Sequence, residues 1–313
     1  MTALARTVVV AIALAITAPA TAVLPVGAAQ PRCGPNDVGP WWPRVVTSEG
    51  AKTLTAAERA AVERQLGAVE TLVRKSPYAT PRGFAVEPIF GFHEITDRTQ
   101  LYSYMFTADT KHLCNKYDEY PSHLKVTFNP DPMAWSGSDR PYRSERGEAF
   151  YLERPRRAAI LGSTATFGAF HEEGTNTSAF FLLYTTADEP PTLPVSREEY
   201  LRFKIFEIEG KDAALSAAFK QFGDGYRAQI AAMSPQERAS PAHVLGDDLV
   251  APGTPYAYAI VRKNPAFYKV RTSPFEPRAI LVQMPNGHKD EWPQQEQLYK
   301  QFDWAAIKKM VNP

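Results

Sequence analysis

Val62, Leu66, Val69 and Val73 follow one another at intervals of four, three and four, which draws one apolar stripe down a helix. Arg59, Glu63, Arg64, Glu70 and Arg74 fall on the other side. Ahead of the stripe, Thr55-Ala56-Ala57-Glu58 has the form of a capping box: the Thr55 hydroxyl accepts from the Glu58 amide, and the Glu58 carboxylate reaches back. Ser76-Pro77 closes this helix. A second box pairs Ser196 with Glu199, and Val195 and Tyr200 are placed to staple it. It predicts a helix through Leu201, Ile205 and Ile208, past Gly210 to Phe219 and Phe222, stopped by Gly223-Asp224-Gly225; a further helical turn or two covers Tyr226 to Met233. Ser234-Pro235-Gln236-Glu237 is a third box, with proline at the first helical position, and Ser240-Pro241 ends the brief helix it starts. Asp303 caps a last helix that puts Trp304, Ile307, Met310 and Val311 on one side.

Shorter apolar and aromatic runs bounded by turn residues read as strands. They cover Phe84 to Phe92, Leu101 to Phe106, Leu124 to Phe128, Ala149 to Leu152, Ala158 to Leu161, Thr166 to Phe170, Ala179 to Thr185, Tyr256 to Arg262 and Ala279 to Gln283. Met133 to Arg146 reads as a surface loop, and the runs before and after Glu172–Asn176 read as a hairpin with an extended turn. Strands, then helices, then strands and a helix, without regular alternation, predict an α+β fold with a largely antiparallel sheet. The expected organisation is a leader over 1–29, an extended arm over 30–53 and one domain over 54–313. A sub-boundary near 188–194 is the alternative, but it would strand the last two β-runs without a sheet.

Proline changes the picture first. The 313 residues hold 27 prolines, above the usual 5% or so, which favours connectors, edge strands and helix starts over a helical bundle. The N-terminus sets the compartment. Arg6, the apolar run Val8 to Ile16, Pro19 and small residues up to Gly27-Ala28-Ala29 follow the secretory pattern, so cleavage near Ala29 and a periplasmic or secreted destination are expected. The rival reading is a retained anchor, against which Pro19, Pro25 and the threonines dilute the apolar stretch. The membrane then enters only through the transient leader. In that oxidising setting the two cysteines, Cys33 and Cys114, are expected to form a disulfide closing a loop of about 80 residues, stabilising by roughly 4–5 kcal/mol. Without residues 1–29, basic and acidic side chains are equal in number, which counts against a nucleic-acid partner.

Candidate chemistry is sparse. His171-Glu172-Glu173 offers ligand-type side chains but lacks the i, i+4 histidine pair of a helical zinc site. His243 with Asp247 and Asp248, and His288 with Asp290 and Glu291, have no second histidine at metal spacing. No metal or cofactor is expected. Ser122-His123-Leu124-Lys125 has the letters of a Ser-x-x-Lys motif, yet runs into strand-like Val126-Thr127-Phe128, where the hydroxyl and amine would not share a helical turn. Asn264-Pro265-Ala266-Phe267-Tyr268 reads as a turn start, and Asn176-Thr177-Ser178 as a sequon by pattern alone. Trp41, Trp42 and Trp135 lie outside the clear core runs and are the candidate binding aromatics; the duller reading makes them lids on the core. The expected function is therefore a non-enzymatic exported binding or envelope-associated domain, with a protein, peptide or glycan partner. The alternative is a secreted hydrolase assembled from the pool His171, Glu172, Glu173, Asp247 and Asp248.

Overall fold

The computed structural model describes residues 36–47, 50–93, 97–113, 123–137, 141–144, 146–155, 168–173, 178–186, 189–210, 213–285 and 292–311. The leader, Cys33, Cys114, the Asn176 sequon, the 158–161 strand and the His288 group lie outside them. In chain order the elements begin with β1 (Val45–Val46), α1 (Ala56–Arg74), β2 (Phe84–Phe92), β3 (Tyr104–His112) and β4 (His123–Phe128). Next come β5 (Tyr142–Arg143), β6 (Ala149–Glu153), β7 (Gly168–Glu173), β8 (Ser178–Thr185) and β9 (Thr192–Pro194). The helical segment holds α2 (Arg197–Glu209), α3 (Ala213–Ala232) and α4 (Pro235–Ala239). The chain then forms β10 (His243–Leu245), β11 (Asp248–Leu249), β12 (Tyr258–Lys263), α5 (Pro265–Tyr268), β13 (Ala279–Pro285), α6 (Trp292–Gln301) and α7 (Trp304–Lys309).

Two sheets organise these elements, and the fold is α+β. One runs β1-β2-β3-β4-β13-β8-β7, antiparallel throughout except for the parallel β1–β2 pair. The other runs β11-β10-β12-β6-β5, with β9 also pairing β12. The chain enters the second sheet at β5, leaves it for β7–β8, returns for β9–β12, and goes back to the first with β13. That interleaving puts β12 and β13 in different sheets and pairs Thr192–Pro194 of β9 with β12.

The strand pattern explains the layers. On β3 and β4, Tyr104, Phe106, Ala108, Leu124, Val126 and Phe128 alternate with polar residues and bury one face against Val62, Leu66, Val69 and Val73 of α1. Leu298, Tyr299, Phe302 and Ile307 of α6 and α7 extend this core. A second cluster joins Phe181, Leu183 and Leu281 to Trp135, Phe267 and Tyr268. A third packs Val195, Tyr200, Leu201 and Phe203 on Phe150, Val244 and Ile260.

All three capping boxes form, and Asp303 caps α7. Three expectations change. The helix begun at Ser196 stops at Gly210, whose amide bonds to Phe206, and α3 then runs straight through Gly223 and Gly225. Each glycine costs about 1 kcal/mol in a helix; here Tyr226, Ile230 and Met233 pack against the third core cluster and carry the helix across. The second strand lies over Tyr104–His112 rather than 101–106, because the alternation continues past the last aromatic while the Leu101 and Tyr102 amides bond to Tyr268 and Pro274. The Met133–Arg146 stretch read as a surface loop holds the fully buried Trp135 and strand β5, while the chain around His243 forms the β10–β11 hairpin, turned at Gly246 in the left-handed region.

Candidate functional site

The residues before α1 do not trail away from the body. Trp41 bridges Val86 in parallel, Val45 and Val46 pair with Ile89 and Phe90, and this arm becomes the outer strand of the seven-stranded sheet. The arm is held by side chains that the sequence places far apart. Arg44 reaches the Glu70 carboxylate with Nη2 at 2.6 Å and Nε at 3.0 Å, and Arg74 Nε reaches its other oxygen at 2.8 Å. The Arg74 guanidinium lies 4.0 Å from the centre of the Trp41 ring, and Trp41 Nε1 donates to the Tyr78 carbonyl at 2.8 Å. Arg44 also covers Phe90 at 4.1 Å. Gly39 lets the arm approach: a β-carbon there would fall 1.9 Å from the Phe84 carbonyl oxygen.

The outward side of this arm is apolar. Val38 is 56% exposed, Trp42 38%, Val45 41% and Val46 44%, which concentrates four large apolar side chains in nine residues. The Trp42 amide bonds to Val86 and the Thr47 amide to Phe90, so in this parallel register the backbone groups of Trp41 and Val46 face away from β2. Pro40 and Pro43 have no amide to offer, so among the described residues the free edge is interrupted, with outward backbone groups at Trp41 and Val46. Of the three candidate aromatics, Trp42 is at the surface and Trp41 is half-buried as a clamp. Trp135 follows the duller reading of these aromatics: it is fully buried in the second core cluster, with Nε1 donating to Glu153 at 3.4 Å. A tryptophan needs one polar partner to be buried whole, and Glu153 supplies it.

The acidic pool is divided between the sheets. His171, Glu172 and Glu173 lie on β7, the outer strand of the first sheet beyond β8, while Asp247 and Asp248 lie in the β10–β11 hairpin at the end of the second. Asp247 accepts from Lys204 at 3.0 Å. Among the described residues, no group of three or more His, Cys, Asp or Glu side chains is arranged to hold a metal ion.

Two clefts gather charge elsewhere. One, of about 320 Å³, opens beside the start of α2. Arg262 there bonds to Glu199 at 2.6 Å and lies 3.5 Å from Glu148, and Arg202 holds Glu198 at 2.6 Å. These acids already have partners. The other cleft, of about 230 Å³, collects His93, Tyr102, Asn129, Asp131, Lys263 and Tyr268 between the sheets. Lys263 sits 4.3 Å over the Tyr268 ring and 3.4 Å from Asp131. Asn129, buried at φ 46°, ties the cleft floor together: its side-chain amide donates to the Tyr102 and Glu276 carbonyls and its oxygen accepts from the Arg278 and Ala279 amides.

A polar row crosses the sheet where sequence reading saw none. Glu87, Asp109 and His123 are consecutive cross-strand partners on β2, β3 and β4, all half-buried. Desolvation raises the Asp109 pKa against the opposing pull of His123 and Lys111. The signal in the sequence is the alternation His123-x-Lys125-x-Thr127, which places the three side chains on one face of a strand. No family model, curated protein or solved structure matches this chain.

Proposed function

We propose that this is an exported binding protein that captures a short extended segment of a partner protein along its N-terminal arm. The observation carrying the reading is the cluster of Val38, Trp42, Val45 and Val46 on an outer strand that no described strand flanks. A free strand edge offers main-chain hydrogen bonds, and alternate side chains beside it set specificity. The clamp of Arg44, Glu70, Arg74 and Trp41 holds the edge in place before a partner arrives, which lowers the ordering cost of capture. The apolar leader over 8–16 and the near-equal charge of the remainder support an exported partner chain over a nucleic acid.

Selection of displayed peptides against the mature protein tests this. Enrichment of five-to-eight-residue segments with alternating apolar side chains is expected, and Val46→Pro should abolish their binding while leaving thermal stability within a few degrees. Enriched peptides that bind Val46→Pro and a Val45→Lys/Trp42→Ala variant unchanged would refute the edge. Mass spectrometry of the exported protein should find an N-terminus at Gln30.

A further inference from the structure

The sheet face turned away from α1 carries a lysine with no counter-ion among the described residues. Lys125 sits in β4, half-buried, with Thr107 of β3 and Gln283 of β13 as its cross-strand partners and Thr127 two residues further on. Directly opposed residues of neighbouring strands stand about 5 Å apart, so these four side chains form one group. Among the described residues, the Lys125 ammonium makes no hydrogen bond and no ion pair, and the Thr107, Thr127 and Gln283 side chains make none either. The nearest carboxylate in the adjoining row, Asp109, is drawn to His123 and Lys111 instead. Burial lowers the Lys125 pKa, and its charge in turn helps to lower that of His93 at the rim. A half-buried cation without a partner costs stability, and three neutral donors around it do nothing to offset its charge.

The surroundings narrow what would. Next to Thr107 in the same row is Ile89, and one row on Met105 lies over Gly91, where a β-carbon would come within 2.6 Å of it. Both apolar side chains are half-buried. Glu87 and Asp109, one row in the other direction, repel a second negative charge. Arg154, stacked 4.7 Å from the centre of the Phe181 ring, is two strands away along the row. Among the described residues, one unpaired cation, a ring of neutral polar side chains and an adjoining apolar step suit a monoanion with an apolar body, and disfavour a phosphate dianion.

We infer that this face binds a small organic carboxylate, its head on Lys125 with Thr107, Thr127 and Gln283 donating, and its apolar body against Ile89 and Met105. The site adjoins the arm only through Ile89, which pairs with Val45, while its charged head lies on β3, β4 and β13, so neither reading depends on the other. Octanoate is the probe, titrated calorimetrically into the full mature protein, with octylamine and inorganic phosphate alongside. Octanoate should bind and raise the melting temperature, the other two should not, and Lys125→Met should weaken octanoate at least tenfold. Because Lys125→Met removes an uncompensated charge, it should melt no lower than the parent. A second readout needs no variant: octanoate affinity should fall as pH rises toward 10.5, the ordinary lysine value, as the ammonium loses its proton. Octanoate bound equally well by Lys125→Met, an affinity flat with pH, or phosphate bound more tightly than octanoate would each overturn the assignment.

Discussion

Replacing Glu70 by glutamine isolates the clamp that seats the arm. The substitution keeps the side chain's volume but removes the charge that receives three N–H groups from Arg44 and Arg74. Charge-assisted hydrogen bonds contribute about 1.5–3 kcal/mol each when their groups are desolvated. Both arginine side chains are 44% exposed, however, and recover water when released, which brings each pair toward the 1 kcal/mol of a surface bridge. A loss of about 2 kcal/mol follows for the two pairs together. About half of it should fall on local opening of the arm, because only the Arg44 pair joins the arm to α1 while the Arg74 pair lies within the helix. One kilocalorie corresponds to about a fivefold rise in the open population. Trypsin cleaves after Arg44 only when the arm has lifted, so limited proteolysis followed by mass spectrometry should show cleavage there about five times faster. The effect should shrink in high salt, as the parent clamp is partly screened. Acceleration below threefold would show that backbone pairing to β2 alone holds the arm and that the ionic clamp is ornamental.

Trp135→Ala should lower unfolding free energy by about 3–5 kcal/mol in a urea titration, since it empties a fully buried site and orphans a contact to Glu153; a cost under 1 kcal/mol would mean the tryptophan is not part of the core. Ser196→Ala should cost about 1 kcal/mol by removing the hydroxyl that accepts the Glu199 amide, measured by the same titration. Asp109→Asn should be stabilising at neutral pH and lose that advantage in acid. The folded pKa of Asp109 is raised above 3.8, so the native state holds its proton longer than the unfolded chain; the penalty is absent below 3.8 and grows as pH rises through the folded value. Melting curves from pH 3 to 8 check this, and a stability difference that does not change with pH would contradict it.

Local signals in the chain were dependable where the physics is local. A hydroxyl, a carboxylate three residues on and an apolar stripe are enough to start a helix, and each of the three boxes does so at the residue where the sequence places it. The ends were harder to read. Gly210 stops a helix while Gly223 and Gly225 do not, and only the packing of Tyr226 and Ile230 separates the cases. The arm looked like a tether because two prolines and two tryptophans say nothing about β2, more than forty residues later. The polar row was half legible. Alternation in His123–Phe128 shows that His123 and Lys125 share a face, but nothing in the sequence aligns His123 with Asp109 and Glu87, since that register is set when the strands meet. Trp135 was legible only as core or surface aromatic for the same reason: the partner that lets it be buried, Glu153, lies a strand away.

The placement of β13 between β4 and β8 sets the timetable by which this molecule can be made. A chain emerging from a ribosome has both flanking strands long before residues 279–285, and they must wait for the centrepiece with their inner edges bare. Until that last strand slots in, the sheet exists as two halves, and the body stays open enough to be threaded, chaperoned or degraded.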